Sequence, residues 1–245
     1  MPIKARSYEL THDLLRQYRD AAIANAEALL SEAELLLAHR HLARAYFLAV
    51  SSIEEIGKSV QAFEGLGKNL RDPAIQQRLK LLFEDHSQKV TYAFMPLLKS
   101  VDNLRERVMD FTDIMVAIKF GREAAMYTDI NAERIAVISP NMQVCQRAAS
   151  DCIQLARVVI SHARPYALQD QPKTATKAHD ALFSMKPSLY NKIMNSEDFW
   201  WYYISKVEQG QSAFDANVVE YSRTFLANGK NFKNTATSES TNNCT

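Results

Sequence analysis

Four groups of charged or titratable side chains lie on otherwise apolar stretches of this chain. The first is Glu54, Glu55 and Lys58, which close the segment HLARAYFLAVSSIEEIGK at residues 41–58. The second is His86 and Lys89 in EDHSQK, and the third is Arg122, Tyr127 and Asp129 in FGREAAMYTD at residues 120–129. The fourth is the spacing Arg157 to His162. Such groups can hold a charged ligand or move a proton, and on a buried helix they must also find partners, because an unpaired charge is costly to remove from water. From Ala43 to Ile53 the only charged residue is Arg44, so the first group sits on a helix expected to be buried around most of its circumference. Glu54 and Lys58 share a face at i,i+4, and Glu55 points about 100° away and needs another partner.

Each group also has a plainer reading. Glu54 and Lys58 could be a solvent-exposed ion pair, His86 a surface histidine, and Arg122 an arginine that lays its stem along apolar surface. Arg157 and His162 near a helix C-terminus are also what dipole complementarity alone would place there. Three such clusters on successive helices are harder to explain one at a time.

The elements that must position them read as helix nearly throughout. Periodic apolar stripes mark helices over about 8–37, 39–66, 72–104 with a kink or break near Pro96, 108–131 and 139–163, the last ended by Arg164-Pro165. Residues 166–180 read as a loop, shorter helices follow at 187–194, 197–206 and 208–227, and no run has the alternation of a strand. The expected fold is an all-α antiparallel bundle over residues 1–165, a helical extension over 166–227 and a disordered tail over 228–245.

Composition narrows the function. Twenty-nine basic and 28 acidic residues give a net charge of +1, which removes any global electrostatic case for nucleic acid and leaves only a local patch. The N-terminus has no apolar leader and no stretch is long enough to span a bilayer, so a cytoplasmic protein without membrane partners is expected. Cys145, Cys152 and Cys244 lack metal-like clustering and read as reduced thiols. GLGK at 65–68 lacks the spacing of a phosphate-binding loop, and a single Glu-x-x-His at Glu9 to His12 does not make a di-iron bundle. No metal or cofactor is expected.

The order of HLARAYFLAVSSIEEIGK, then His-x-x-Lys, then Arg-x4-Tyr-x-Asp resembles the AbiV-type abortive infection proteins of the HEPN superfamily, over roughly residues 10–165. That resemblance implies a helical, often dimeric bacterial antiphage domain. HEPN proteins are commonly metal-independent ribonucleases with an Arg-x4–6-His motif, in which His transfers protons and Arg stabilises the developing phosphorane charge. This chain departs from the motif by placing Tyr127 where the histidine belongs, and a phenol is a poorer proton shuttle at neutral pH. Arg157-Val-Val-Ile-Ser-His162 is the literal match.

Two readings follow. In one, the protein acts on RNA: Arg122, Tyr127, His86 and Glu55 carry the chemistry, with Arg157 and His162 as the alternative pair, and Glu54, Lys58, Lys89 and Asp129 bind. In the other, the cluster is structural and the protein works by binding a phage or host factor. The aromatic block FWWYY at 199–203 fits a partner or homodimer surface as well as it fits internal packing.

Overall fold

The computed structural model describes residues 8–99, 104–131 and 135–233. It is an all-α protein with two compact units: residues up to 70 together with 79–173, and residues 71–78 together with those from 174 onward. Along the chain, α1 (His12–Ala38) and α2 (Leu42–Leu66) of the first unit are followed by α3 (Pro73–Glu84), whose first six residues belong to the second unit, and then by α4 (His86–Lys99) and α5 (Leu104–Met126) of the first. A short antiparallel hairpin, β1 (Asp129–Asn131) with β2 (Ala136–Ile138), leads through the single turn α6 (Pro140–Gln143) to α7 (Gln146–Ala167).

Helix α2 is the axis of the bundle. Its second half is buried on nearly every side, from Ile53 and Glu54 through Ile56, Gly57, Ser59, Val60, Gln61, Ala62 and Phe63. Helices α1, α4, α5 and α7 surround it. The core joins Val50, Ile53, Ile56, Val60 and Phe63 to Val90, Ala93 and Phe94 of α4 and to Ile153, Ala156, Val159 and Ile160 of α7. Each fully buried branched or aromatic side chain contributes about 1.5–3 kcal/mol. Small residues let the helices approach closely: buried Ser52 donates its hydroxyl to the Ala26 carbonyl of α1 at 2.7 Å.

Two glycines fix where the charged helices lie. A Cβ on Gly57 would sit 1.9 Å from the Lys89 carbonyl oxygen, so α2 and α4 touch backbone to backbone at the Glu-Glu-Ile-Gly-Lys segment. A Cβ on Gly121 would sit 2.3 Å from the Tyr46 hydroxyl, which lets α5 lie close to α2 one residue before Arg122. Burial pushes the Tyr46 phenol up to about 12 and, likewise, the Cys152 thiol up to about 12. Cys152 is therefore an inert core residue, Cys145 is exposed and free, and Cys244 lies outside the described residues.

The structure corrects several expected boundaries. The segment expected as one helical region over 72–104 breaks at Asp85, and α4 continues past Pro96 without a break. Asp85 makes this break by accepting the backbone N–H groups of Ser87 at 2.9 Å and Gln88 at 3.1 Å, capping α4. Helix α7 passes Pro165 as well, because proline removes only its own N–H and Leu168 still donates to the Arg164 carbonyl at 3.0 Å. Helix α5 ends at Met126 and gives way to a hairpin whose three-residue strands are too short to show a period.

The second unit contains α8 (Lys177–Phe183), α9 (Pro187–Met194), α10 (Glu197–Glu208) and α11 (Phe214–Thr224). Helix α8, in the segment expected as loop, starts where the Thr176 hydroxyl accepts the His179 N–H at 3.0 Å. The aromatic block divides as a helix must divide it: Phe199 and Tyr202 pack with Ile193, Val218 and Tyr221, and Trp200 and Trp201 are about half exposed. Asp198 accepts the Tyr221 hydroxyl at 2.9 Å and the backbone N–H groups of Phe232 and Lys233 at 2.8 and 3.0 Å, holding part of the segment expected as tail.

Candidate functional site

Glu54 is the centre of the polar cluster in the first unit. Only 6% of it is exposed, and it faces α4 and α5 from the middle of the bundle. Its Oε2 lies 2.7 Å from Nδ1 of His86, and its Oε1 lies 3.1 Å from Nε of Arg122. The arginine contact has ion-pair distance without hydrogen-bond alignment, and the buried Nε has no other partner. Above it, the Arg122 guanidinium lies 5.7 Å from the centre of the Phe47 ring, a cation–π contact that helps hold it in place.

This arrangement reverses the pairing expected within α2. Lys58 reaches Glu55, three residues back, and not Glu54. Local spacing allowed the i,i+4 pair, but His86 and Arg122 of the neighbouring helices occupy the Glu54 carboxylate. Lys89 is 95% buried next to Gly57. Burial lowers its ammonium pKa first, the Lys58 charge lowers it further, and Glu54, Glu84 and Glu55 oppose both.

His86 opens α4 because Asp85 caps that helix, and it is about half exposed. A carboxylate only accepts, so the bond to Glu54 places a proton on Nδ1, and in the neutral ring the lone pair is then on Nε2. Arg122 is about four-fifths buried and approaches from α5. A guanidinium and an imidazole thus come from different helices and converge on one buried carboxylate.

They converge beside a cavity of about 490 Å³, within the range of small-ligand sites. Its apolar wall includes Val50, Val90, Met115, Val116 and Ile118. Its polar lining includes Glu54, Asp85, His86, Ser87, Thr91, Arg122 and Glu123. Asp85 and Glu123 were not singled out in the sequence. Asp85 carries a readable signal as a cap, but Glu123 looks like any solvent-facing glutamate in a helical pattern.

The remaining candidates lie elsewhere. Tyr127 is 57% exposed and does not line the cavity, and Asp129 accepts the neighbouring Ile130 N–H from the hairpin. Arg157 pairs with Glu34 of α1 at 2.8 Å, whereas His162 bonds the Val158 carbonyl of its own helix at 2.9 Å. That arginine and histidine face different partners and make no shared constellation. Among the described residues no group of histidine, cysteine and carboxylate side chains has the arrangement to hold a metal ion. No described helix is long and apolar enough to cross a membrane.

In comparison with known proteins, the HEPN-group family model described as AbiV matches residues 14–161, which contain every residue of the Glu54 cluster. No curated protein and no solved structure matches the chain.

Proposed function

The chain belongs to the AbiV family of HEPN proteins, a membership that points to abortive infection, and on that premise we propose that it defends bacteria against phage by cutting RNA at the Glu54 cavity. One observation carries this reading: His86 and Arg122, from separate helices, meet on a single buried carboxylate. HEPN nuclease chemistry needs an arginine and a histidine together, and here α4 supplies the histidine that Tyr127 does not.

The geometry supports the following roles. The Glu54 contact at Nδ1 turns Nε2 of neutral His86 to the substrate as the base that takes the proton of a ribose 2′-hydroxyl. The 2′-oxygen forms a bond to the adjacent phosphorus, the bond to the 5′-oxygen breaks, and the leaving oxygen takes a proton from solvent. Arg122, held by Glu54 and Phe47, stabilises the charge that develops on the phosphoryl oxygens. Lys58, paired with Glu55, and the buried Lys89 do not line this cavity and are given no contact with the strand.

The protein works in this account as a cytoplasmic homodimer. Support for the second copy comes from the exposed apolar residues of α5, the hairpin and α6, where Phe120, Ile135, Val137 and Met142 are between 65% and 90% exposed. Apolar groups so exposed mark a surface that a second copy or a phage or host protein covers.

The test uses purified full-length protein and total RNA from infected cells. Wild type is expected to give fragments ending in 2′,3′-cyclic phosphate, and His86→Ala, a change at a half-exposed position, is expected to stop their formation. Intact RNA with both proteins, alongside stoichiometric binding to a phage or host protein, would overturn the nuclease assignment in favour of a binding role.

A further inference from the structure

The cavity beside Glu54 has more polarity and more apolar wall than an Arg–His pair needs. Its lining holds three carboxylates, Glu54, Asp85 and Glu123, against the guanidinium of Arg122 and the imidazole of His86. With Arg122 and His86 given to the scissile phosphate, the remaining carboxylates and apolar wall form a second part of the cavity that disfavours another anion. It suits a flat, uncharged ring with N–H groups on its edge.

The three carboxylates are not equivalent. Glu54 is engaged by His86 and Arg122, and Asp85 accepts two backbone N–H groups at the start of α4. The Glu123 carboxylate makes no hydrogen bond or ion pair with any described residue, and it lies one position after Arg122 on the cavity lining. Val50, Val90, Met115, Val116 and Ile118 provide the apolar surface against which a ring can stack.

We propose that this cavity reads an RNA base next to the scissile phosphate, and that Glu123 selects guanine. A carboxylate accepts the N1–H and the 2-amino group of guanine side by side, as two parallel bonds. Adenine and cytosine offer it one amino group, and uracil offers one N–H flanked by two carbonyl oxygens that repel it. A bidentate contact of this kind discriminates between bases by about tenfold or more. The inference rests on the RNA reading above, but it makes a separate claim about the free carboxylate.

The test is binding of the four ribonucleoside 3′-monophosphates to full-length protein by calorimetry, in wild type and in Glu123→Gln. The phosphate is common to all four, so their differences report the base alone. Glu123 is exposed, so the variant keeps its fold. Guanosine 3′-monophosphate is expected to bind about tenfold tighter than the other three, and Glu123→Gln is expected to level the series. Equal affinities in wild type, or a guanine preference that survives Glu123→Gln, would overturn the proposal. Should none of the four bind while His86-dependent RNA cleavage persists, the base cavity fails and the nuclease reading stands. If neither nucleotide binding nor cleavage occurs and an arginine-rich peptide binds in a Glu123-dependent way, both fail and the cavity is a protein-docking site.

Discussion

Gly57→Ala is expected to destabilise the protein by about 2 kcal/mol or more, a large effect for one methyl group. The added Cβ meets the main-chain carbonyl of Lys89 at 1.9 Å, and that atom cannot rotate aside as a side chain can. Reaching ordinary contact at 3.4 Å requires α4 to retreat from α2 by roughly 1.5 Å, the difference between those two distances. Overpacking of this size costs about 3 kcal/mol, and the better helix propensity of alanine returns only about 1 kcal/mol. Gly65→Ala is the control on the same helix. Its Cβ would meet only leucine methyl groups, the nearest at 3.3 Å, so the propensity gain roughly cancels the strain. Urea unfolding of the three proteins checks this through the midpoint at constant slope. The variant is also expected to lose activity beyond its stability loss, because α4 carries His86 and the retreat takes it from Glu54. An unchanged midpoint for Gly57→Ala would mean that α2 and α4 do not touch here.

The second large effect is expected at Glu54. Glu54→Gln keeps the shape of the side chain but leaves the largely buried Arg122 without a counter-charge. Breaking a fully buried pair from one side costs about 3–5 kcal/mol, and the residual exposure of Arg122 puts this case near 2–3 kcal/mol. Replacing both partners removes the penalty. Glu54→Gln combined with Arg122→Met is therefore expected to recover most of the stability lost in the single variant while remaining inactive. Thermal or urea unfolding of the two single variants and the double variant measures this coupling directly. Strictly additive losses would show that Glu54 and Arg122 do not depend on one another.

Much of this centre was legible in the sequence, because charges on apolar helices must be accounted for. Glu54, His86 and Arg122 stand out on that ground alone. Their pairing was not legible. Within one helix, spacing favours Glu54 with Lys58, and only the packing of α4 and α5 against α2 shows that an imidazole and a guanidinium from other helices take the carboxylate. Tyr127 drew attention through its distance from Arg122 along the chain, but α5 ends at Met126 and the tyrosine falls beyond it, facing outward. Proline broke the helix at neither Pro96 nor Pro165, because a helix with enough buried surface tolerates one missing N–H. Asp85, an ordinary-looking aspartate, decides where α4 begins and so where His86 lies.

The glycines teach the same lesson from the other side. Gly57 in the Glu-Glu-Ile-Gly-Lys segment reads as a weak point in a helix until the Lys89 carbonyl is found against it. The helical class of the fold needed none of this detail, since the apolar period of α1, α2 and α7 and the scarcity of glycine and proline already indicated it. What the sequence left open was tertiary: which faces meet, and which charge pairs with which.

The measurement that tests the central claim most directly is phage plating on bacteria expressing either wild type or His86→Ala at equal protein levels. His86 is half exposed and its loss leaves the Glu54–Arg122 pair in place, so the variant keeps its fold. The account predicts that wild type lowers plating efficiency and that His86→Ala restores it to the level of cells lacking the protein. Equal protection by the two would contradict a defence activity that works through the Glu54 centre.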